Sequence, residues 1–305
     1  MDIDVSNKKI LSIIISYNDS RNTSMTVSSL LKQTVPVKIV VWDNDSKDNT
    51  CEILENKFGT NIIIHKSKEN FYWAPAINKA LEIYYDGEDF IHYSNNDIEY
   101  PNETLERMMI DVIETGAGAL GPTGAGIGGL QDYATHQHSK DGDFDNFNDR
   151  YDFLKNKKPT RTSSLQGACV FMPAIHWKLV GPLDNSLPLG ADDSDYSIRL
   201  KEKGYSLYVC EKAYVFHRDH ASGPGNEQTW HDLGGQSWAF FNKKWAGYYF
   251  NQLEASKCMW DYQYTEGWDT GTGWLSENER KKIWDLRGIN YDGTQILKNN
   301  TVVLR

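Results

Sequence analysis

The chain has 305 residues, a formal net charge of -10, and 39% hydrophobic and 24% charged residues; it can bury a sizeable core and lacks the basic face that nonspecific nucleic-acid binding needs. An anionic small ligand stays open, because a bound metal ion inverts the local field. Four scattered cysteines (Cys51, Cys169, Cys210, Cys258), a polar start without a signal-peptide core and no apolar run of membrane-span length read as a reduced, cytoplasmic protein whose membrane contact would be peripheral.

The first hundred residues alternate. ILSIIIS (10–16) is a β-branched run suited to a strand buried on both faces, followed by helical spacing over 22–34. VKIVVW (37–42) predicts a second strand and 49–58 a second helix. NIIIH (61–65) is the third strand, 74–85 the third helix and FIHYS (90–94) the fourth strand. Strands joined by crossover helices imply a mostly parallel sheet with helices on its faces, and in such sheets ligands collect at the carboxyl ends of the strands.

Polar clusters follow three of these strands: Ser16, Tyr17, Asn18 and Asp19; then Asp43, Asn44, Asp45 and Ser46; then Asn95, Asn96 and Asp97. Each alone suits a turn or helix cap. Three on one edge of one sheet point to a site. No phosphate-binding P-loop occurs. A G-x-G-x-x-G at Gly116, Gly118 and Gly121 follows a helical stretch rather than a strand, so it is not a dinucleotide fingerprint.

Residues 102–115 predict a helix and 117–123 a strand, and 124–162 read as a long loop. Within that loop, His136 and His138 are read as surface histidines, and 141–149 fails as a calcium loop because Asn146 stands where a glycine is required. SLQGACVFMP (164–173) is a strand in which Gly167 and Ala168 leave room for a bulky neighbour. Asp192, Asp193 and Asp195 then precede a helical stretch, Tyr196 to Lys203. Acidic residues in a first helical turn suit the macrodipole. Adjacent carboxylates also repel, which raises one pKa as a general base requires. SLYVCEKAYVFH (206–217) reads as one or two strands that end on His217.

In order along residues 10–222, these blocks resemble the inverting glycosyltransferases of family 2. SIIISYN resembles the opening strand and turn of that family, SLLKQT its first helix, VVWDNDSKDNT its V-D-N-G-S-x-D-G-T segment and NFYWAPAIN its N-x-G-F-A-x-x-x-N segment. SNND sits where the family places D-x-D, and GAC, ADDSD and VFHRDHAS match later blocks. The resemblance implies a GT-A fold, an α/β architecture with a Rossmann-like, mostly parallel central sheet flanked by helices. It implies that Asp43 recognises a pyrimidine base, with Ser16, Tyr17, Asn18, Asn44, Asn70, Trp73, Asn78, Asn95, Asn96 and Gly167 in the nucleotide-sugar site. Asp97 would hold Mn2+ or Mg2+ on the diphosphate, with His217 as second ligand and His220 as its competitor. Asp193 would be the catalytic base beside Asp192. The chain departs from the family pattern at Asn95 (Asp in D-x-D), Asp192 (Glu in the Glu-Asp pair) and Tyr72 (Gly in N-x-G-F-A).

On this reading 1–100 is the nucleotide-sugar half of the domain, 101–222 its acceptor-binding and catalytic half, and 223–305 a C-terminal extension. Seven of the ten tryptophans fall between Trp230 and Trp284, which suits a packed core or interface, and the alternatives are a sugar-stacking surface or a contact with a membrane or a second copy. WAFFNKKW (238–245) predicts an amphipathic helix, and the turn-rich 265–274 a lid or an ordinary loop. The expected partners are a UDP- or dTDP-sugar donor and a glycan or lipid-linked glycan acceptor, in bacterial-type surface polysaccharide synthesis at the inner membrane face. Rhamnosyltransferase-like members match best. A sugar-phosphate nucleotidylyltransferase and a non-catalytic glycan-binding protein are the competing readings. The first would carry a Gly- and Arg-rich loop where this chain reads SYNDSRNT, and the second has little use for Asp97, Asp193 and His217 together.

Overall fold

The computed structural model describes residues 3, 5–127, 131, 154, 156–218 and 230–245. Four strands, β1 (Ile10–Ser16), β2 (Val37–Asp43), β3 (Ile63–Lys66) and β4 (Phe90–Asn95), alternate with helices α1 (Ser20–Leu30), α2 (Thr50–Phe58) and α3 (Ala74–Tyr84). They pair in parallel in the order β3-β2-β1-β4. The β-branched run of β1 is buried along its whole length because helices cover both faces. Ile10 and Ile14 pack with Val27, Leu30, Leu54 and Phe58 from α1 and α2. Leu11, Ile13 and Ile15 point the other way, into Ala76, Ile77, Ala80 and Leu81 of α3. Each such aliphatic side chain contributes roughly 1.5–3 kcal/mol on full burial.

The second half departs from parallel pairing. After β5 (Ile98–Glu99) and α4 (Thr104–Thr115) come β6 (Ala119–Ala125), β7 (Thr160–Thr162), β8 (Cys169–Pro173), α5 (Ala174–Val180), α6 (Asp192–Glu202), β9 (Leu207–His217) and α7 (Gly235–Lys244). β8 runs antiparallel to both β4 and β6, β9 is parallel to β6, and β5 and β7 run antiparallel to β9. The mostly parallel part of the sheet is therefore its N-terminal half. β9 is one strand rather than two, and it absorbs a bulge: Pro122 pairs with Cys210, but Thr123 pairs with Tyr214.

The sheet path runs β4-β8-β6-β9-β5, four strand spacings, or about 19 Å in a flat sheet. Only Asn96 and Asp97 separate β4 from β5, and three Cα steps reach at most about 11 Å. The sheet must curl, which brings the end of β9 back to the end of β4. The hydroxyls of α1 hold this turn. Thr26 Oγ1 donates to Asn96 O (2.7 Å) and accepts from Ile98 N (3.1 Å), while Ser29 Oγ accepts from Tyr100 N (3.1 Å). That role accounts for a helix so rich in Ser and Thr, residues of modest helix propensity.

Gly116 ends α4 with a left-handed φ of 66°, and a Cβ on Gly118 would meet Tyr205 Cβ at 2.4 Å. Those glycines serve a helix cap and close packing rather than phosphate. Among the described residues, no helix is long and apolar enough to cross a membrane. His136, His138, His220, the 141–149 segment and the 265–274 segment lie outside the described residues.

Candidate active site

Strand register brings the polar clusters to one edge, with Ser16 opposite Asp43 and Asn95 opposite Ile15. The buried Asp43 carboxylate accepts from Ser46 N (2.9 Å) and Ser46 Oγ (2.5 Å). Asn18, at φ 50°, donates its N–H to Ser46 Oγ (2.8 Å) and accepts from Lys47 N (2.7 Å). Two loops are thus stitched into one wall, with the half-exposed Tyr17 beside it.

Several expected contact residues face inward. Ser16 is fully buried with its hydroxyl 2.8 Å from Thr23 Oγ1. Asn44 accepts from Trp42 Nε1 and Phe71 N and donates to Tyr72 O (2.6 Å). Asn78 holds Leu183 through both its amide atoms, and Asn96 Nδ2 donates to Thr23 Oγ1. These four amides and hydroxyls fix the frame of the site. Asn70 Oδ1 accepts from Tyr72 N (2.8 Å). Asn44 and Asn70 together clamp Tyr72 in a left-handed conformation (φ 61°) that a bulky residue rarely adopts.

At the turn between β4 and β5, Asp97 is 2% exposed and its Oδ1 has no hydrogen-bond partner. That oxygen lies 3.2 Å from His217 Nε2. His217 Nδ1 donates to Gly126 O (2.6 Å), which leaves Nε2 with its lone pair in the neutral ring, and Asn95 Nδ2 donates to it at 3.0 Å. A buried carboxylate oxygen this close to an imidazole nitrogen is stabilised either by a proton on Nε2 or by a cation bound between the two side chains. The backbone bond that fixes the ring is the kind that orients a metal-ligating histidine. The residues therefore fit a divalent cation. No cluster of three or more His, Cys, Asp or Glu ligands occurs among the described residues, so Asp97 and His217 would leave most coordination positions to a ligand and water.

On the other side, Gly190 and Ala191 both take positive φ, and α6 starts at once with Asp192 and Asp193, without a side-chain cap. Asp193 Oδ2 accepts from Gly167 N (2.8 Å) and Oδ1 from Ser194 N (2.6 Å). Burial raises its pKa, and these bonds oppose the rise only in part. Asp192 is 3% exposed and its Oδ2 is unpartnered; burial first, and then the adjacent Asp193, push its pKa well above the usual carboxylate range. A carboxyl group whose folded-state pKa is raised stabilises below its unfolded value, and that contribution is lost as pH rises through the folded value. Asp192→Asn is therefore expected to raise stability at pH 7 by about 1 kcal/mol and to leave it unchanged at pH 3. Paired thermal melts at the two pH values check the sign.

A single dipeptide joins the two ends. Asn95 N donates to Ala168 O (2.9 Å), and Gly167 N donates to Asp193. A Cβ on Gly167 would sit 3.3 Å from Asp193 Cβ and 3.6 Å from Trp73 Nε1, so Trp73, which meets Tyr93 edge-on, stands beside the same carboxylate. Gly167→Ala should displace Asp193 by a few tenths of an ångström. The expected loss is about tenfold in turnover with unchanged nucleotide affinity, measured as kcat against the UDP dissociation constant.

A further cluster was not foreseen from the sequence. Lys244 Nζ, at the end of α7, lies 2.6 Å from both Asp184 Oδ2 and Asp195 Oδ1, and all three side chains are at most 3% exposed. Asp195 also accepts from Trp245 Nε1 (2.8 Å) and Arg199 Nε (2.8 Å). Its own burial would raise its pKa, but Lys244 and Arg199 outweigh that and hold it low. The sequence signal was an extra aspartate in ADDSD and a lysine flanked by aromatics in WAFFNKKW.

The curled sheet, its flanking helices and the polar edge define a GT-A glycosyltransferase fold. Residues 12–176 match the Glycosyl transferase family 2 domain, and the chain belongs to that family. No curated protein matches the chain. Similar solved structures include the mannosyltransferase PcManGT from Pyrobaculum calidifontis in complex with GDP-Man and Mn2+ (17% identity, TM-score 0.55, 75% of this chain and 61% of that one). GalNAc-T7 with UDP, GalNAc and Mn2+ is also similar (14% identity, TM-score 0.58, 95% of this chain and 59% of that one). S. aureus TarS has 14% identity and a TM-score of 0.52 over 93% of this chain and 54% of that one. The chain thus spans about three-fifths or less of the length of these three neighbours.

Proposed function

We propose that this protein is a metal-dependent inverting glycosyltransferase that moves a sugar from a UDP- or dTDP-sugar to a hydroxyl of a glycan or lipid-linked glycan, in bacterial-type surface polysaccharide synthesis. The observation that carries the reading is the pairing of two unusual ends across Gly167–Ala168. At one end a buried Asp97 oxygen without a hydrogen-bond partner lies 3.2 Å from His217 Nε2, and at the other stands Asp193, whose carboxyl pKa burial raises. Two of the similar structures contain Mn2+ with a nucleotide-sugar or nucleotide.

In this reading Asp97 and His217 hold the cation, which when bound neutralises charge on the diphosphate leaving group. The imidazole nitrogen in the donor set favours Mn2+ over Mg2+. Asp43 and the Asn18–Ser46 wall bind the base and ribose, Asn95 orients His217, and Asn70 shapes the loop that carries Tyr72 and Trp73. Asp193 accepts the proton of the attacking hydroxyl. Its raised pKa makes it a stronger base than an exposed aspartate. One base opposite the leaving group gives a single displacement with inversion. Residues 1–100 and 101–222 supply the donor and catalytic halves.

The test is a panel of UDP-, dTDP- and GDP-sugars, with dTDP-rhamnose included, incubated with and without Mn2+ or Mg2+ while released nucleoside diphosphate is followed. Metal-stimulated release from a pyrimidine nucleotide-sugar is expected. No metal-stimulated release and no nucleotide binding with any donor would sink the enzyme reading. Pyrophosphate release from a nucleoside triphosphate and a sugar phosphate would favour a nucleotidylyltransferase instead.

A further inference from the structure

The helix that carries Asp193 has an unusual foundation. α6 begins after two positive-φ residues and has no side-chain N-cap, so the usual device that fixes a first turn is missing. Two side chains of that turn tie it to other parts of the fold. Asp193 reaches Gly167 N, and Asp195, two residues on, reaches Lys244 and Trp245. Asp195 is fully buried and its carboxylate is held on both oxygens, Oδ1 by Lys244 and Trp245 and Oδ2 by Arg199. Arg199 in turn donates to Val180 O, and Lys244 is anchored a second time by Asp184. Two carboxylates and two cations close a neutral, desolvated cluster, in which each bond is stronger and more geometrically demanding than at a surface.

Lys244 and Trp245 lie outside the family-matched region, which ends at residue 176. We infer that the end of α7 is a positioning element for catalysis: Lys244 and Trp245 hold Asp195 and thereby fix the first turn of α6 and the direction of the Asp193 carboxylate. This inference rests on the proposed role of Asp193 as base. The C-terminal segment then contributes to turnover without touching donor or acceptor. A purely structural contact would stabilise the fold as a whole. A positioning contact acts on one turn and on kcat.

The test uses the full chain and Trp245→Phe, which removes the indole N–H together with part of a buried ring; Lys244→Arg, which leaves Trp245 intact and conserves the charge, is its companion. Amide hydrogen exchange of the 190–198 peptide is expected to speed up about tenfold in Trp245→Phe, with β1–β4 protection unchanged. With the UDP- or dTDP-sugar that the wild type turns over fastest, kcat should fall about tenfold. Mn2+-dependent UDP affinity and donor KM should stay within twofold. Lys244→Arg should retain more turnover than Lys244→Met. Unchanged exchange at 190–198, or unchanged kcat, overturns the inference. So does a loss of protection, affinity and kcat together across the whole chain. Asp193→Asn separates the two claims. If it still turns over, the base assignment fails; if it is inactive while Trp245→Phe is normal, only the positioning role fails. Should the wild type turn over no donor, the proposed function falls and the exchange measurement still decides whether the α7 end fixes the α6 turn.

Discussion

Asp193→Asn is expected to lower sugar transfer about 10³-fold, roughly 4 kcal/mol of transition-state stabilisation, while UDP affinity in the presence of Mn2+ changes less than twofold. The split follows from geometry. An asparagine oxygen still accepts from Gly167 N, so the Gly167–Ala168 bridge that supports Asn95 stays in place. What is lost is the capacity to take a proton, together with the bond that Oδ1 accepts from Ser194 N. In the wild type, the acidic limb of the kcat profile should lie above the ordinary aspartate value, because burial raises the Asp193 pKa. That limb should vanish in any residual activity of the variant. Calorimetry with UDP and initial rates across pH measure both halves, and a variant that retains more than about a tenth of wild-type turnover excludes Asp193 as base.

Asp97→Asn is the second large effect, and its sign differs with and without metal. Without metal and with His217 neutral, the replacement removes a buried charge whose Oδ1 lacks a hydrogen-bond partner 3.2 Å from His217 Nε2, so thermal stability should hold or rise. With Mn2+ and UDP, the wild type should gain stability in proportion to occupancy, and the variant should lose that gain. Losing one partner of a buried charge pair costs about 3–5 kcal/mol, equivalent to at least a hundredfold weaker metal-dependent UDP binding. Melting curves of both proteins, with and without Mn2+ plus UDP, give all four numbers. If the variant shows the wild-type ligand shift, Asp97 is not a metal ligand.

The strands of the first hundred residues were legible because their signal is local. Continuous β-branched runs bounded by polar residues, as in 10–16 and 37–43, fit only a sheet covered on both faces. β5 was not legible, since two residues carry no periodicity and its pairing depends on the curl that joins it to His217. The resemblance of the ordered blocks to the family singled out Asp97, His217, Gly167 and Asp193, and the fold brings them into two linked ends. It also separates residues that share a motif. Asn44, Asn78 and Asn96 hold loops with the same amide chemistry that could have held a ligand. Composition cannot distinguish the two uses, because side-chain direction decides between them. Lys244 was hidden for the opposite reason. A lysine at the end of an amphipathic helix ordinarily faces water, and only the tertiary pairing with Asp184 and Asp195 buries it.

The Gly167–Ala168 bridge also bears on how such a site can diversify. Asn95 and Asp193 bond to peptide groups two apart in one strand-end segment, so the separation of the two ends is set by a short stretch of chain and not by loop length. Insertions elsewhere cannot stretch it, and a swap at Gly167 meets Asp193 directly. In the proposed glycosyltransferase, a different sugar would then be accommodated by changing the walls of the site rather than its bite. The wall nearest to hand is the clamped Tyr72–Trp73 pair, whose strained backbone marks where selectivity can be rewritten one side chain at a time.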